Sequence, residues 1–227
     1  MISKRALLWQ GVIQTLPLVL AAFPFGLVFG ALAHSYNLSL AATLGFSAIV
    51  FAGASQFIAI TLLASSTAFP IIVLTVFVVN LRQMLYSANL MPFVHNWSQS
   101  WRAFLAFFLT DETFAVVSHQ ASAPGLRWLY LGSALFMYSF WIVATLAGFL
   151  LVGQLPGLAN MGLDVAMIVA FVGIVVPSLL TRADWACAAT AFACALLTAD
   201  WPNQTGLLFS ALLAIAVGVW SKALVAQ

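Results

Sequence analysis

The sequence predicts an all-α polytopic membrane bundle of about eight transmembrane helices, forming a single domain over residues 1–227. Three observations carry this. First, 64% of the residues are hydrophobic and only 5% charged, against roughly a quarter charged in soluble domains. Second, no Asp, Glu, Lys or Arg occurs between Arg5 and Arg82, between Arg127 and Asp164, or between Asp200 and Lys222. A span needs about 20 apolar residues, so the first gap holds about three. Third, stretches such as IIVLTVFVVN (71–80) are solidly apolar, where barrel strands would alternate. Seven spans is the alternative count.

The same composition excludes a soluble globule, intrinsic disorder and a nucleic-acid-binding surface, which needs a basic patch. Cys187 and Cys194 lie seven residues apart in sequence, about 10 Å along a helix and too far for a disulfide. They read as small apolar packers. No Cys/His cluster suggests a metal, and no P-loop or dinucleotide fingerprint suggests a nucleotide or other cofactor.

Taken in order, the predicted helices cover 7–34, 40–64, 67–92, 101–119, 128–153, 162–180, 184–199 and 204–222. Tryptophans at 9, 97, 101, 128, 185, 201 and 220 mark their ends, as interfacial aromatics do. Trp141 alone sits mid-span. The apolar run from Ala6 to Ala33 is too long for a signal-peptide core, so it reads as a retained first span. Its Pro17, Pro24, Gly26 and Gly30 give two readings. One is a discontinuous helix offering backbone groups to a substrate. The other is a kinked helix with a close-packing stripe, since Ala22, Gly26 and Gly30 recur every four residues.

The second span carries FAGASQF (51–57), where Gly53, Ser55 and Gln56 interrupt an apolar helix. Gln56 needs partners wherever it is buried, either at a cavity or in an interhelical hydrogen bond. The third span carries NLRQMLYSANLMP (80–92). Arg82, Tyr86 and Asn89 share one helical face, and Asn80, Gln83 and Ser87 the other. A helix polar on two faces is expected in the centre of the bundle. Arg82 at mid-membrane costs about 3 kcal/mol and calls for a partner.

That partner is expected in LAFFLTDETFAVVS (105–118), near the middle of the fourth span. One of Asp111 and Glu112 would pair with Arg82 while the other faces a cavity. Asp111 is the first choice for a carboxylate that carries a proton or an ammonium group. The alternative is a purely structural pair. His34, His95 and His119 fall at span ends. Asp164 reads as a helix cap, Pro177 as a bend, and Asp184 and Asp200 as loop or cap residues. With eight spans, Lys4, Arg5, Arg127, Arg182 and Lys222 fall on one side and Arg102 on the other. The positive-inside rule then puts both termini in the cytoplasm.

PFGLVFGALA, FAGASQF, NLRQMLYSANLMP, LTDETFAV and GLDVAM occur in an order and spacing that resembles the AzlC family, from about residue 10 to 180. The family is the large subunit of bacterial branched-chain amino-acid exporters. The resemblance implies secondary export of aliphatic amino acids from the bacterial cytoplasmic membrane, with a small hydrophobic AzlD-type subunit as partner. Gln83 stands where family members carry a histidine after the arginine.

Together these readings give a proton-coupled exporter subunit. Candidate substrate-binding or coupling residues are Arg82, Asp111, Glu112, Gln56, Ser55, Gly53, Asn80, Tyr86, Phe25 and Gly26. Arg82, or N–H groups near Gly26 and Gly53, would meet the substrate carboxylate. Asp111 or Glu112 would meet its ammonium, and Phe25, Phe51 and Phe57 its tail. The alternatives are a transporter or channel for another small solute, and a non-transporting scaffold subunit. An enzyme is not expected, because no nucleophile–base pair lies within reach at mid-span.

Overall fold

The computed structural model describes residues 3–154, 172, 176, 179–201 and 205–225. Among these the helices are α1 (Lys4–Ser35), α2 (Leu40–Val50), α3 (Gly53–Ala64), α4 (Phe69–Val94), α5 (Gln99–Phe107), α6 (Asp111–His119), α7 (Leu126–Gln154), α8 (Arg182–Leu197) and α9 (Thr205–Val225). No strand is present among the described residues, so the chain is a helical membrane bundle. The predicted helix over 162–180, with Asp164 and Pro177, falls almost wholly outside the described residues.

Three long apolar helices, α1, α4 and α7, can each cross a bilayer. The first is continuous for 32 residues through both Pro17 and Pro24, so of the two readings of those residues the discontinuous helix is not what forms. Glycine explains its packing. A β-carbon at Gly11 would fall on the Leu129 carbonyl and one at Gly132 on the Leu8 carbonyl. Gly30 meets the Thr145 carbonyl in the same way, and Gly148 the Leu27 carbonyl. The two backbones are therefore in contact at both ends, and the residue numbers rise together, so α1 and α7 run parallel. Close approach through small residues gives the van der Waals packing that helps hold helices together inside lipid.

The predicted second and fourth spans are not spans. Each is a pair of short helices that folds back on itself. The Gln56 Nε2 donates to the Ser47 Oγ at 2.9 Å; in one straight helix these residues would stand about 13 Å apart. The α2 arm descends from the end where α1 finishes, and α3 returns there, with Ile60 packed among Phe29, Leu32 and Ala33. The second hairpin enters from the opposite end. Trp101 of α5 touches Trp128 at the start of α7, centroids 5.8 Å apart, and Val117 of α6 shares a cluster with Leu126 and Tyr130. Arms of 11 and 12 residues and two of 9 reach about 13–18 Å, or half of a roughly 30 Å hydrocarbon core.

Backbone broken at membrane depth has to be satisfied by protein. The Tyr138 Oη donates to the Ala48 carbonyl at 3.0 Å, at the end of α2. The Tyr130 Oη donates to the Leu105 carbonyl at 2.9 Å, at the end of α5. One helix, α7, thus supplies a tyrosine to each hairpin. The two tips meet where Phe51, Phe108 and Tyr138 stack edge to face.

A long helix followed by a hairpin therefore occurs twice, α1–α3 and α4–α6, in opposite directions across the bilayer. Such inverted pairs are a transporter architecture. Two expectations change. The first concerns α4, which lies at the edge of the described residues: 11% of its apolar stretch is buried, against 44% in α1. Asn80, Arg82, Gln83 and Tyr86 instead look onto the hairpins and the space between them, while Asn89 is exposed. The second concerns Arg102, which lies at the same end as Lys4, Arg5 and Arg127, because α5 enters from that side. The Lys4 Nζ is 5.1 Å from the Trp128 ring, at that same end. Cys187 and Cys194 are free thiols, with Cys187 packed against Gly218 between α8 and α9. Asp184 is a cap, in a reciprocal box with Thr181.

Candidate functional site

A cavity of about 600 Å³ lies between the hairpin tips, bounded by α1, α3, α4, α6 and α7. That volume lies within the range of small-molecule sites, roughly 300–1,000 Å³. Its walls divide by chemistry. Leu18, Phe25, Phe57, Ile58, Val79 and Met137 make an apolar side. Arg82, Gln83, Thr110, Asp111 and Glu112 make a polar end, and Gly53 and Ala54 present the first turn of α3.

The two hairpins place two helix N-termini at this cavity, and the termini differ. Helix α3 begins after Phe51, which sits in the left-handed region at φ 36° and ψ 46°. For a bulky residue that is costly backbone, held only where packing overdetermines it; Phe51 is buried against Tyr138 and Phe108. The next residue, Ala52, is the N-cap and offers no side-chain acceptor. The amides of Gly53 and Ala54 therefore open the helix at the cavity without a side-chain cap, the arrangement that favours an anion. Helix α6 is the reverse. The Thr110 Oγ1 accepts from the Thr113 amide at 3.3 Å, and Asp111 and Glu112 fill its first turn. Carboxylates are favoured there by the helix dipole. Both were expected near the middle of a helix; they begin one.

Arg82 finds its partner. Its Nη1 stands 2.7 Å from the Asp111 Oδ2, and the Tyr86 Oη donates to the Asp111 Oδ1 at 2.7 Å. Tyr86 in turn stacks on Phe114, centroids 4.3 Å apart. The pair is open rather than sealed, with side chains 33% and 37% exposed. Glu112 forms no ion pair among the described residues.

The other candidates stand one layer back. Gln56 is fully buried and both ends of its amide are used. Its Oε1 accepts from the Trp141 Nε1 at 2.9 Å, and its Nε2 donates to Ser47, whose hydroxyl lies 2.9 Å from that of Thr145. This chain ties the first hairpin to α7 and fixes the indole that walls the cavity. Ser55 donates to the Asn80 Oδ1 at 2.8 Å, joining α3 to α4. Gly26 does not line the cavity; it is buried against Ala144 of α7, the packing reading of its stripe. Phe25, Gly53, Arg82, Asp111 and Glu112 do line it. Trp141 and Thr110 were not singled out as site residues. The signals were present: a lone tryptophan in mid-span, and a threonine followed by two acids, which is how helices begin.

A family model described as AzlC protein matches residues 17–155, which take in every residue of the cavity. The chain is similar to the inner membrane protein YgaZ of Escherichia coli (strain K12), 32% identical over 143 residues, covering 61% of this chain and 58% of that protein. An uncharacterized membrane protein of Archaeoglobus fulgidus is 36% identical over 154 residues, covering 66% and 64%. One of Helicobacter pylori (strain 26695) is 31% identical over 162 residues, covering 70% of each. The chain thus spans 58% and 64% of the length of the first two. No solved structure matches.

Proposed function

This chain belongs to the AzlC family, and we propose that it is a membrane transport subunit exporting branched-chain or other aliphatic amino acids by secondary, proton-coupled transport. One observation carries the reading. The cavity between the two hairpin tips has an apolar wall, an uncapped helix N-terminus and an acidic helix N-terminus. An aliphatic amino acid has the matching three parts: a tail, a carboxylate and an ammonium. Half-helix N-termini at the membrane centre serve anionic groups in this way. The tail would lie against Phe25, Phe57 and Met137, and the carboxylate at the Gly53 and Ala54 amides.

The inverted arrangement supports alternating access, with one hairpin closing each side. In this reading the end with Lys4, Arg5, Arg102 and Arg127 is cytoplasmic by the positive-inside rule, in a bacterial inner membrane. A small hydrophobic AzlD-type subunit is the proposed partner. No group that would supply nucleotide energy was found in the sequence, so an ion gradient is the proposed drive.

The test is efflux from bacterial cells loaded with a leucine-containing dipeptide, with the chain expressed alone and with the small subunit. Leucine efflux above vector background is expected. Absence of efflux for leucine, isoleucine, valine and methionine, with the protein present in the membrane, would overturn the reading. Another exported solute would then favour the broader transporter alternative, and none at all the scaffold.

A further inference from the structure

Resting on the transport reading above, we propose that Glu112 is the exchange carboxylate of the cavity, holding in alternation one proton or the ammonium group of one substrate molecule. The neighbouring Asp111 does not do this. Both oxygens of Asp111 are engaged, one by Arg82 and one by Tyr86, each at 2.7 Å, and the guanidinium cancels its charge. A ligand cation would meet a carboxylate already neutralised by the guanidinium.

Glu112 lines the same cavity and makes no ion pair among the described residues, since the Arg82 guanidinium is held by Asp111. The titratable and charged groups facing it are Asp111, Arg82 and Tyr86. Arg82 and Asp111 offset each other, so an ionised Glu112 leaves the cavity one negative charge in excess. An uncompensated charge at membrane depth is costly. One positive charge completes the site, and transport supplies two candidates. When a substrate arrives, its ammonium takes the carboxylate, and the proton leaves to cavity water and the aqueous phase on that side. When the substrate departs on the other side, a proton takes its place. One proton moves inward for each neutral zwitterion that moves outward.

The test uses the purified full chain, alone and with the small subunit, in detergent and in liposomes. Leucine keeps one charge form between about pH 5 and 7, so pH dependence of its binding there belongs to the protein. The wild type is expected to lose up to about tenfold in apparent leucine affinity per pH unit on acidification, as one-proton competition requires. Glu112→Gln is expected to abolish pH-gradient-driven leucine accumulation and to flatten that slope. A flat wild-type slope overturns the proposal without any variant, which covers a Glu112→Gln that fails to fold. A folded Glu112→Gln that accumulates leucine like the wild type also overturns it and leaves the transport reading standing. A wild type that, with the small subunit present, neither binds nor accumulates leucine, isoleucine, valine or methionine overturns the transport reading and the proposal with it.

Discussion

The guanidinium of Arg82 stands 2.7 Å from the carboxylate of Asp111, tying α4 to the first turn of α6 at the tip of the second hairpin. Tyr86 adds a hydrogen bond from one turn further along α4. Breaking a buried pair costs roughly 3–5 kcal/mol because it strands a charge. This pair is about one-third exposed to the cavity, so the cost falls below that range. Arg82→Gln is expected to lower transport at least about tenfold at matched abundance. The double change Arg82→Gln with Asp111→Asn is expected to recover the thermal stability lost in Arg82→Gln, since no charge is stranded. Melting curves of the purified proteins check this; equal losses in single and double variants would contradict it.

The hairpin topology makes a prediction that a spanning topology does not share. Ser39 and Ser66 flank the first hairpin, and Ser98 and Ser122 the second. In a background lacking Cys187 and Cys194, single cysteines at 39 and 66 are expected to react with an impermeant thiol reagent from one side of the membrane. Cysteines at 98 and 122 are expected to react from the other. Labelling of 39 and 66 from opposite sides would show that residues 40–64 cross the bilayer.

Contact between α1 and α7 leaves no room for side chains at Gly11 and Gly30. Gly30→Ala would drive a methyl group into the Thr145 carbonyl, and is expected to cost 1–3 kcal/mol, as overpacking does. Gly45→Ala meets nothing within 4 Å and is expected to be neutral or slightly stabilising. Membrane abundance and unfolding temperature of the two variants, side by side, decide the matter.

Trp141 is both a cavity wall and a donor to the buried Gln56. Trp141→Phe leaves the amide oxygen unpaired, worth about 1–3 kcal/mol, and loosens the wall that faces Gly53. Reduced stability together with a weaker apparent leucine affinity is expected. Gln56→Leu is expected to lower stability with a smaller effect on affinity, because Gln56 stands behind the cavity.

Much of this was legible in the residues. Low charge and long apolar runs gave the membrane bundle, and α1, α4 and α7 follow their predicted bounds within a few residues. Arg82 could be matched with an acid in 111–112 because an arginine in lipid needs one. The hairpins were not legible from hydropathy, since two half-length apolar arms and one full span have the same composition. Thr110-Asp111-Glu112 does carry a helix-start signature, masked by the apolar run on both sides. The turn at Phe51 carries none, because a phenylalanine in the left-handed region is fixed by its packing on Tyr138 and Phe108 rather than by its own preference. The misplaced Arg102 follows from the same cause, because each hairpin counted as a span flips the side of what comes after it.

The central claim is that the substrate occupies the cavity between the two tips. The most direct measurement places a cysteine at Ala54, on the cavity wall at the start of α3, in the background without native cysteines. Its rate of reaction with a small thiol reagent is followed with and without leucine. The account predicts that leucine slows the reaction in a saturable way and that a charged amino acid such as aspartate does not. An unchanged rate at leucine concentrations that saturate transport by the same variant would contradict it.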